Sequence, residues 1–412
     1  MPSITEINFL NKPVDYSSAH GDLVYVVIAP EYNSNPSAFV NFKFIMDLFI
    51  DGNRISTLKA FPAPTTHYGV FNIGNIIRNY VNSDFNPSGF LNQQDFLNSS
   101  KRVTIQIGVE WGIPITEYTN IVNTAGRFYN HYNGRLSIGN YTILDRYINR
   151  WVTNRPNFSK VIISEKDRTT NLLPVLFEGG DDCDTFDSHV YLQILLPDGS
   201  VDVDYTSDRF TYFGNSIKEI NVTPYLLNDL FGSNIDETTY GYRVKIYGKD
   251  KNCENVETEW FTFIIDCEPK YKTISLCWLN KLGGFDTYDF SKVSKKGYDS
   301  EKKSYNQLQY KIRPQDGLMT YYNGFALNDN QITYNSTFKE RLIVNTDIIN
   351  EETYAWLAEL IVSPQIYIYE NGFYIPVIVK DTNYDFKTKV IDRTFNLTVN
   401  LQYADTLNAQ YR

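Results

Sequence analysis

Cysteine is scarce in this sequence, which contains four in 412 residues (Cys183, Cys253, Cys267 and Cys277). So few cysteines in so long a chain do not make a disulfide framework. No two of them have the close spacing of a zinc-binding pair. We therefore expect reduced thiols and no structural zinc.

Histidine is equally rare, and the usual catalytic motifs are missing. The four histidines are too far apart for two of them to bind a metal from one helix face (His20, His67, His131 and His189). No nucleophile elbow, phosphate-binding loop or dinucleotide fingerprint is present. The glycines of residues 282–285 (LGGF) instead predict a tight bend after a strand. We expect no catalytic residue, no cofactor and no metal, so an enzyme is the least favoured class.

Long apolar runs and positive net charge are also absent. No stretch approaches the roughly 20 apolar residues that cross a bilayer. The N-terminal residues lack the basic and apolar regions of a secretory signal. The net charge is -10 at pH 7, and an acidic surface gains no counterion release on duplex DNA or an anionic membrane. We therefore expect no membrane span and no sequence-specific nucleic-acid partner.

Aromatic residues, by contrast, are abundant. They make up 15% of the chain, with 32 tyrosines and 26 phenylalanines, and such residues favour strands and interfaces. They could also stack on sugars, although core and subunit-interface roles are commoner in all-β domains. The length exceeds one ordinary hydrophobic core and predicts two or three domains.

Two stretches in the first two thirds of the chain have a similar order of elements. Strands at 40–50 and 189–196 end near Asp51-Gly52 and Asp198-Gly199, and the segments 71–81 and 220–230 (FNIGNIIRNYV and INVTPYLLNDL) follow at nearly equal offsets. This order predicts two immunoglobulin-like β-sandwich domains related by duplication. Chance similarity between generic strand-turn-strand segments is the alternative. Residues 124–160 are interpreted as an aromatic connector.

Two charged stretches are candidate binding sites. An acidic run offers oxygen ligands for a hard cation, but its spacing is not that of an EF-hand, and a solvated turn at Gly179-Gly180 is favoured (Asp181, Asp182, Asp184 and Asp187). Whether this loop binds a cation is left open. A basic run is interleaved with acidic residues and predicts a solvated loop (Lys292, Lys295, Lys296, Lys302 and Lys303).

The C-terminal part predicts one helix on an antiparallel sheet. Asn350 is a good N-cap for a helix at 351–362, and Ser363-Pro364 stops it. Leu357 lies on the apolar face that we expect to be buried, with Tyr354 and Ile361. Strands at 365–369 and 373–379 flank Asn371-Gly372, a strong hairpin signal. Pro376 suggests an edge strand, and further strands are expected at 382–389 and 394–403.

The sequences of two C-terminal segments resemble those of tail proteins from phages that infect Bacteroidota, including crAss-like phages. The segments are 274–290 (ISLCWLNKLGGFDTYDF) and a run from 337 to 405 that begins TFKERLIVNTDIINEETYAWLAELIV. Strand-helix-strand packing of this type is also similar, at the level of fold, to phage distal-tail and tail-tube rings. The resemblance implies a structural part of a virion, made in the host cytoplasm and carried in the tail.

Together these patterns predict an all-β chain with three domains. Residues 1–155 form a β-sandwich with the aromatic connector, 156–268 a second, related sandwich, and 269–412 a small antiparallel sheet or barrel covered by one short helix. The expected function is a tail, connector or hub protein that forms or docks on an oligomeric ring and contacts other tail proteins. In that ring the uncharged strand from Phe395 to Tyr403 is expected to pair across the subunit boundary. The alternative is a receptor-binding or glycan-binding tail protein.

Overall fold

A computed structural model describes residues 3–83, 85, 91–92, 98–129, 148–162, 171–177, 185–207, 210–213, 217–250, 252–266, 270–306, 310–312, 315–321, 331–380, 395–405 and 407–408. The fold is all-β, as predicted, and consists of two immunoglobulin-like sandwiches followed by an antiparallel sheet covered by a helix.

The first sandwich encloses one core between two sheets, ordered β1-β2-β5 and β4-β3-β7-β8. The alternating pattern of strand β3 supplies one side of this core. Its residues alternate between buried and half-buried, so Phe44, Met46 and Leu48 face inward. The elements are β1 (Asn8–Asn11), β2 (Val24–Ile28), α1 (Pro30–Ser34), a 3-10 turn (Pro36–Ala38), β3 (Lys43–Ile50), β4 (Asn53–Ala60), β5 (Gly69–Asn72), α2 (Gly74–Ile77), β6 (Leu91–Asn92), β7 (Ser100–Trp111) and β8 (Thr116–Tyr129).

The second sandwich repeats this plan with additions. Its elements are β9 (Arg150–Trp151), β10 (Phe158–Ile162), β11 (Leu172–Leu176), β12 (Thr185–Leu195), β13 (Val201–Thr206), β14 (Phe210–Phe213), β15 (Ile217–Asn221), α3 (Pro224–Phe231), β16 (Gly241–Lys249), β17 (Asn255–Glu257) and β18 (Phe261–Asp266). One sheet is ordered β13-β12-β16-β18 with β10 added in parallel at its end, and the other β9-β11-β15 with β6 of the first domain added.

The strand orders of the two sandwiches therefore match. The order β4-β3-β7-β8 corresponds to β13-β12-β16-β18, and β1-β2-β5 corresponds to β9-β11-β15. The turn pairs also occupy equivalent hairpins, although Asp51 and Gly52 both have positive φ while at the second turn only Gly199 does. This agreement supports the predicted duplication.

The third region is one eight-stranded sheet under a helix. Its elements are β19 (Ile274–Leu279), β20 (Phe285–Phe290), β21 (Lys295–Asn306), β22 (Tyr310–Ile312), β23 (Met319–Tyr321), β24 (Gln331–Asn345), α4 (Glu351–Val362), β25 (Ile366–Glu370), β26 (Phe373–Val379), β27 (Thr398–Tyr403) and β28 (Leu407–Asn408). The order is β20-β19-β25-β26-β27-β24-β21, with β28 beside β24 and a separate β22-β23 pair. The sheet is larger than the small one expected.

Local signals in this region are confirmed. The Asn350 side chain accepts a hydrogen bond from the Thr353 amide at 2.8 Å, so α4 begins where its cap predicts. Leu357 is fully buried among the residues of the sheet core. Asn371 and Gly372 both have positive φ and join β25 to β26.

Two predictions about sheet edges are wrong. Strand β26 lies between β25 and β27, so Pro376 is not on an edge strand. Its missing N–H is tolerated because β27 ends at Tyr403, beside Pro376, and only the Pro376 carbonyl is needed there, accepting from the Ala404 amide at 3.2 Å. Strand β27 itself is paired on both sides, with β26 and β24, so its backbone is not free to join another subunit.

Three further expectations need correction. The basic run is not a loop, because Lys295 to Lys303 lie in the exposed strand β21. The aromatic connector is partly core, since Tyr129 ends β8 and Trp151 packs into the second sandwich. The thiols are not all reduced: Cys253 is disulfide-bonded, whereas Cys277 is free and buried, so the partner of Cys253 lies outside the described residues. The strand expected at 382–389 also lies outside them.

Candidate functional site

The described residues contain no group of three or more histidine, cysteine or carboxylate side chains that could hold a metal. Of the histidines, His131 lies outside the described residues, and His189 Nδ1 lies 3.1 Å from the Ser207 carbonyl oxygen, a structural contact. The predicted acidic loop also falls outside, except that Asp187 is placed on the backbone of β12. Across the described ranges, no helix is both long and apolar enough to cross a membrane.

The most elaborate arrangement of side chains is the junction between the second sandwich and the third region. The bend between β19 and β20 enters it. Asn280 holds this bend by accepting from the amides of Leu282 and Gly284 at 2.9 and 3.1 Å, and its Nδ2 donates to the Val152 carbonyl at 2.9 Å. A Cβ on Gly284 would lie 2.3 Å from the Pro174 side chain, so this close approach requires glycine.

Three carboxyl groups are buried at this junction. Asp286 Oδ2 accepts from Thr153 Oγ1 at 2.8 Å and from Trp356 Nε1 at 2.7 Å, while its Oδ1 has no hydrogen-bond partner among the described residues. Burial raises the pKa of Asp286 to about 7, because the charged form loses its hydration. Burial likewise raises the pKa values of Glu219 and Glu359.

Hydrogen bonds hold the other two carboxyl groups across the junction. Glu219 Oε1, from β15, accepts from the Phe285 amide of β20 at 2.6 Å. Glu359 Oε1, from α4, accepts from Asn154 Nδ2 at 2.7 Å. Each acid therefore links the second sandwich to the third region.

Arg155 is a buried cation of the junction. It donates from Nη1 to Asn171 Oδ1 at 2.8 Å and from Nε to Ser159 Oγ at 3.0 Å. Its guanidinium carbon lies 5.1 Å from the ring centre of Phe263 and 5.3 Å from that of Trp356, within cation-π range. Burial lowers the pKa of Arg155, and Asp286 opposes this effect. Hydrogen bonds and aromatic faces thus replace the water that the charge loses.

The first sandwich also reaches this junction. The Phe85 ring stacks on Tyr367 with ring centres 4.4 Å apart and lies 4.7 Å from Phe285. Ser83 Oγ donates to the Gly283 carbonyl at 3.0 Å. Strand β6, from the first third of the chain, pairs with β15. All three regions therefore meet around the β19-β20 bend.

Sequence reasoning did not find this junction. The available signal was a carboxylate beside isoleucine or phenylalanine in a short strand, as for Glu219 in IKEIN and Asp286 in FDTYDF. Such residues are almost never fully buried unless they have partners. Neither sequence segment identifies those partners.

A cleft of about 210 Å³ opens beside the junction, between β10 and β18 on one side and β20 and the start of α4 on the other. It is lined by aromatic and charged side chains, among them Phe158, Lys160, Asp266, Asp289 and Asp347. Phe158 is largely exposed, and the Lys292 ammonium lies 3.1 Å from Asp347. Aromatic surface beside polar groups is typical of small-ligand sites.

The third feature is a long exposed ribbon, defined here as β21 and β24. The two strands pair over the full length of β21, with a bulge between Lys303 and Ser304. Tyr298, Tyr305 and Tyr334 are 67%, 49% and 56% exposed. In the described part of the chain β21 pairs only with β24, so its outer edge carries backbone groups with no strand partner.

Comparison with known proteins adds little to this description. No protein-family model matches the chain, and no curated protein matches it. Among solved structures, one similar chain comes from a protocadherin gammaB7 EC3-6 cis-dimer, at 8% sequence identity over 82% of this chain and 73% of that one, with a TM-score of 0.17. A likeness of that size carries no argument about fold or function.

Proposed function

We propose that this chain is a structural subunit of a phage tail, which forms or docks on an oligomeric ring of the tail, connector or hub. The observation that carries the proposal is the placement of the two segments that resemble phage tail proteins. Residues 274–290 form β19 and β20, and the later segment forms most of β24 together with α4 and β25 to β27. These parts, distant in sequence, share one sheet and one core.

The junction supports a structural role for the whole chain. Asn280, Asp286 and Glu359 connect elements from different regions through buried hydrogen bonds. Burying such groups costs free energy unless each has a partner, so the regions are held in one arrangement rather than joined by loose linkers. A fixed arrangement of domains suits a subunit that must repeat identically around a ring. We propose no catalytic role.

The proposal is tested on particles of the phage that encodes the chain. Tails are separated from heads, and the proteins of each fraction are identified by mass spectrometry. We expect peptides of this chain in the tail fraction, at a copy number that fits a ring. Recovery only from infected-cell lysate, with none in purified particles, would contradict the proposal.

The cleft favours a second candidate, a glycan-binding tail protein. Phe158 offers an exposed ring, and Asp266 and Lys160 offer hydrogen-bonding groups beside it. A glycan array probed with the purified chain tests this function. Binding that is lost in Phe158→Ala but kept in Phe61→Ala, another exposed phenylalanine far along the chain, would support the second candidate. Absence of binding to any glycan would contradict it.

A further inference from the structure

Two sheet edges of this chain carry opposite charge. The outer edge of β21 belongs to a ribbon with six basic and three acidic residues, although the whole chain has a net charge of -10. Lys302 and Lys303 are exposed near its bulge. Strand β13, with the sequence VDVDYT, is the outer strand of its own sheet, and within the described residues it pairs only with β12. Its Asp202 and Asp204 are exposed.

Strand β13 is also an unusual edge because its apolar side chains are uncovered. Val201 and Val203 are 36% and 38% exposed, and Asp202 between them is the extra residue of a bulge in the pairing of β13 with β12. Both these apolar side chains and the backbone edge of β13 are therefore open to a partner strand. The bulge of the ribbon has its extra residue, Tyr334, in β24, so β21 itself contains no extra residue and is longer than the six residues of β13.

We propose that β21 of one copy adds to the edge of β13 in a second copy of this chain. The charges select this pairing over others: two β21 edges repel each other through lysines, two β13 edges repel through aspartates, and only the mixed pair attracts. The lysines of the β21 edge therefore repel a second β21 edge and attract the acidic β13 edge. The inference rests on the proposed assembly function and names its contact.

The geometry of this contact is head-to-tail, because the two edges lie on different sheets of the same chain. Each subunit offers one donor edge and one acceptor edge, so the contact either closes into a ring or continues as a filament. The exposed tyrosines of the ribbon add apolar surface next to the paired strands. Since exposed charges guide the contact, added salt should weaken it.

A charge-swap experiment on the full chain tests the pairing. Lys302→Glu with Lys303→Glu makes both edges acidic, and Asp202→Lys with Asp204→Lys makes both edges basic. We expect each double variant to associate about tenfold more weakly than the original chain at low salt, measured by analytical ultracentrifugation. Mixing the two variants, or combining all four changes in one chain, should restore association because opposite edges face each other again.

Controls separate this contact from general charge effects. Arg78→Glu with Lys249→Glu makes the same change in net charge as Lys302→Glu with Lys303→Glu, but away from both edges, and should leave association unchanged. All altered side chains of the two edges are exposed, so circular dichroism should show an intact fold. If a reversal does not fold, the neutral changes to Gln and Asn replace it, with a smaller loss of association.

The outcomes distinguish this inference from the proposed function. Association of the original chain that the edge reversals leave unchanged would overturn the β21-β13 pairing but not the assembly function. Weakening without rescue in the mixture would also overturn the pairing. An original chain that stays monomeric at every concentration and salt level would overturn the pairing and a ring formed by this chain alone, but not docking on a ring of other tail proteins.

Discussion

Asn72 and Asn221 make the same pair of hydrogen bonds in the two sandwiches. Asn72 Oδ1 accepts from the amide of Leu23, just before β2, at 3.3 Å and from the amide two residues after itself at 3.0 Å. Asn221 Oδ1 accepts from the amide of Asn171, just before β11, at 3.4 Å and again from the amide two residues on at 3.3 Å. Each asparagine also pairs with the first residue of the neighbouring strand. This shared detail is the most specific sign of the duplication.

The two asparagines should nevertheless differ in their effect on stability. Asn221 is buried and Asn72 is exposed. Asn221→Ala leaves buried amides without an acceptor and should cost about 1–3 kcal/mol, whereas the bonds of Asn72 are only part-buried and Asn72→Ala should cost less. Urea unfolding of both variants measures the difference. Equal losses, or a larger loss for Asn72→Ala, would contradict the assigned environments.

Leu357 should be a main contributor to the third core. Because it is fully buried between α4 and the sheet, Leu357→Ala should lower the free energy of unfolding by about 2–5 kcal/mol. Val362 is 59% exposed on the same helix, and Val362→Ala serves as the matched control with a change within about 0.5 kcal/mol. A small change in thermal stability for Leu357→Ala would contradict the packing of α4 on the sheet through Leu357.

The buried carboxyl groups predict that stability falls as pH rises through the neutral range. The pKa of Asp286 is about 7 in the folded chain and about 4 when unfolded. Between these values the folded chain keeps a proton that the unfolded chain has lost, so the free energy of unfolding decreases with pH and levels off above about 7. From pH 5 to pH 8 this one group should account for about 2.6 kcal/mol.

Asp286→Asn isolates that contribution, because an amide can still accept the hydrogen bonds from Thr153 and Trp356 but does not titrate. Melting temperatures from pH 5 to pH 8 should fall less steeply in the variant than in the original chain. The remaining slope is expected from Glu219 and Glu359, whose pKa values are also raised. Identical slopes would show that Asp286 does not titrate in this range.

Gly284 should tolerate no side chain. Gly284→Ala places a methyl group 2.3 Å from Pro174, and the strain should cost about 1–3 kcal/mol and loosen the junction. Gly297→Ala is the control, because the nearest atom there is the movable end of Arg341 at 3.3 Å. Limited proteolysis should cut Gly284→Ala faster than Gly297→Ala. Equal resistance would mean that the bend does not pack as described.

Local sequence signals predicted local structure well in this chain. The N-cap Asn350, the stop at Pro364 and the Asn371-Gly372 turn each act over a few residues, and each is where it was expected. Strand order was not accessible in the same way, because it depends on partners far along the chain. That is why β27 was expected at an edge and lies inside the sheet.

The junction was missed for a similar reason. Arg155, Asn171 and Trp356 meet only after the second sandwich and the third region have folded, and no residue spacing within one segment predicts the contact. The disulfide of Cys253 is another feature that the cysteine count did not predict. The resemblance to phage tail proteins supplied the expected function, and that expectation stays a prediction.

The mass of the purified chain in solution tests the central claim, assembly into a closed ring, most directly. Native mass spectrometry at low salt, over a range of protein concentrations, should show one dominant species whose mass is a whole multiple of 47.7 kDa. That multiple should stay fixed as concentration rises, because a ring closes while a filament grows. A single species of 47.7 kDa at every concentration, or a ladder of masses that lengthens with concentration, would contradict the account.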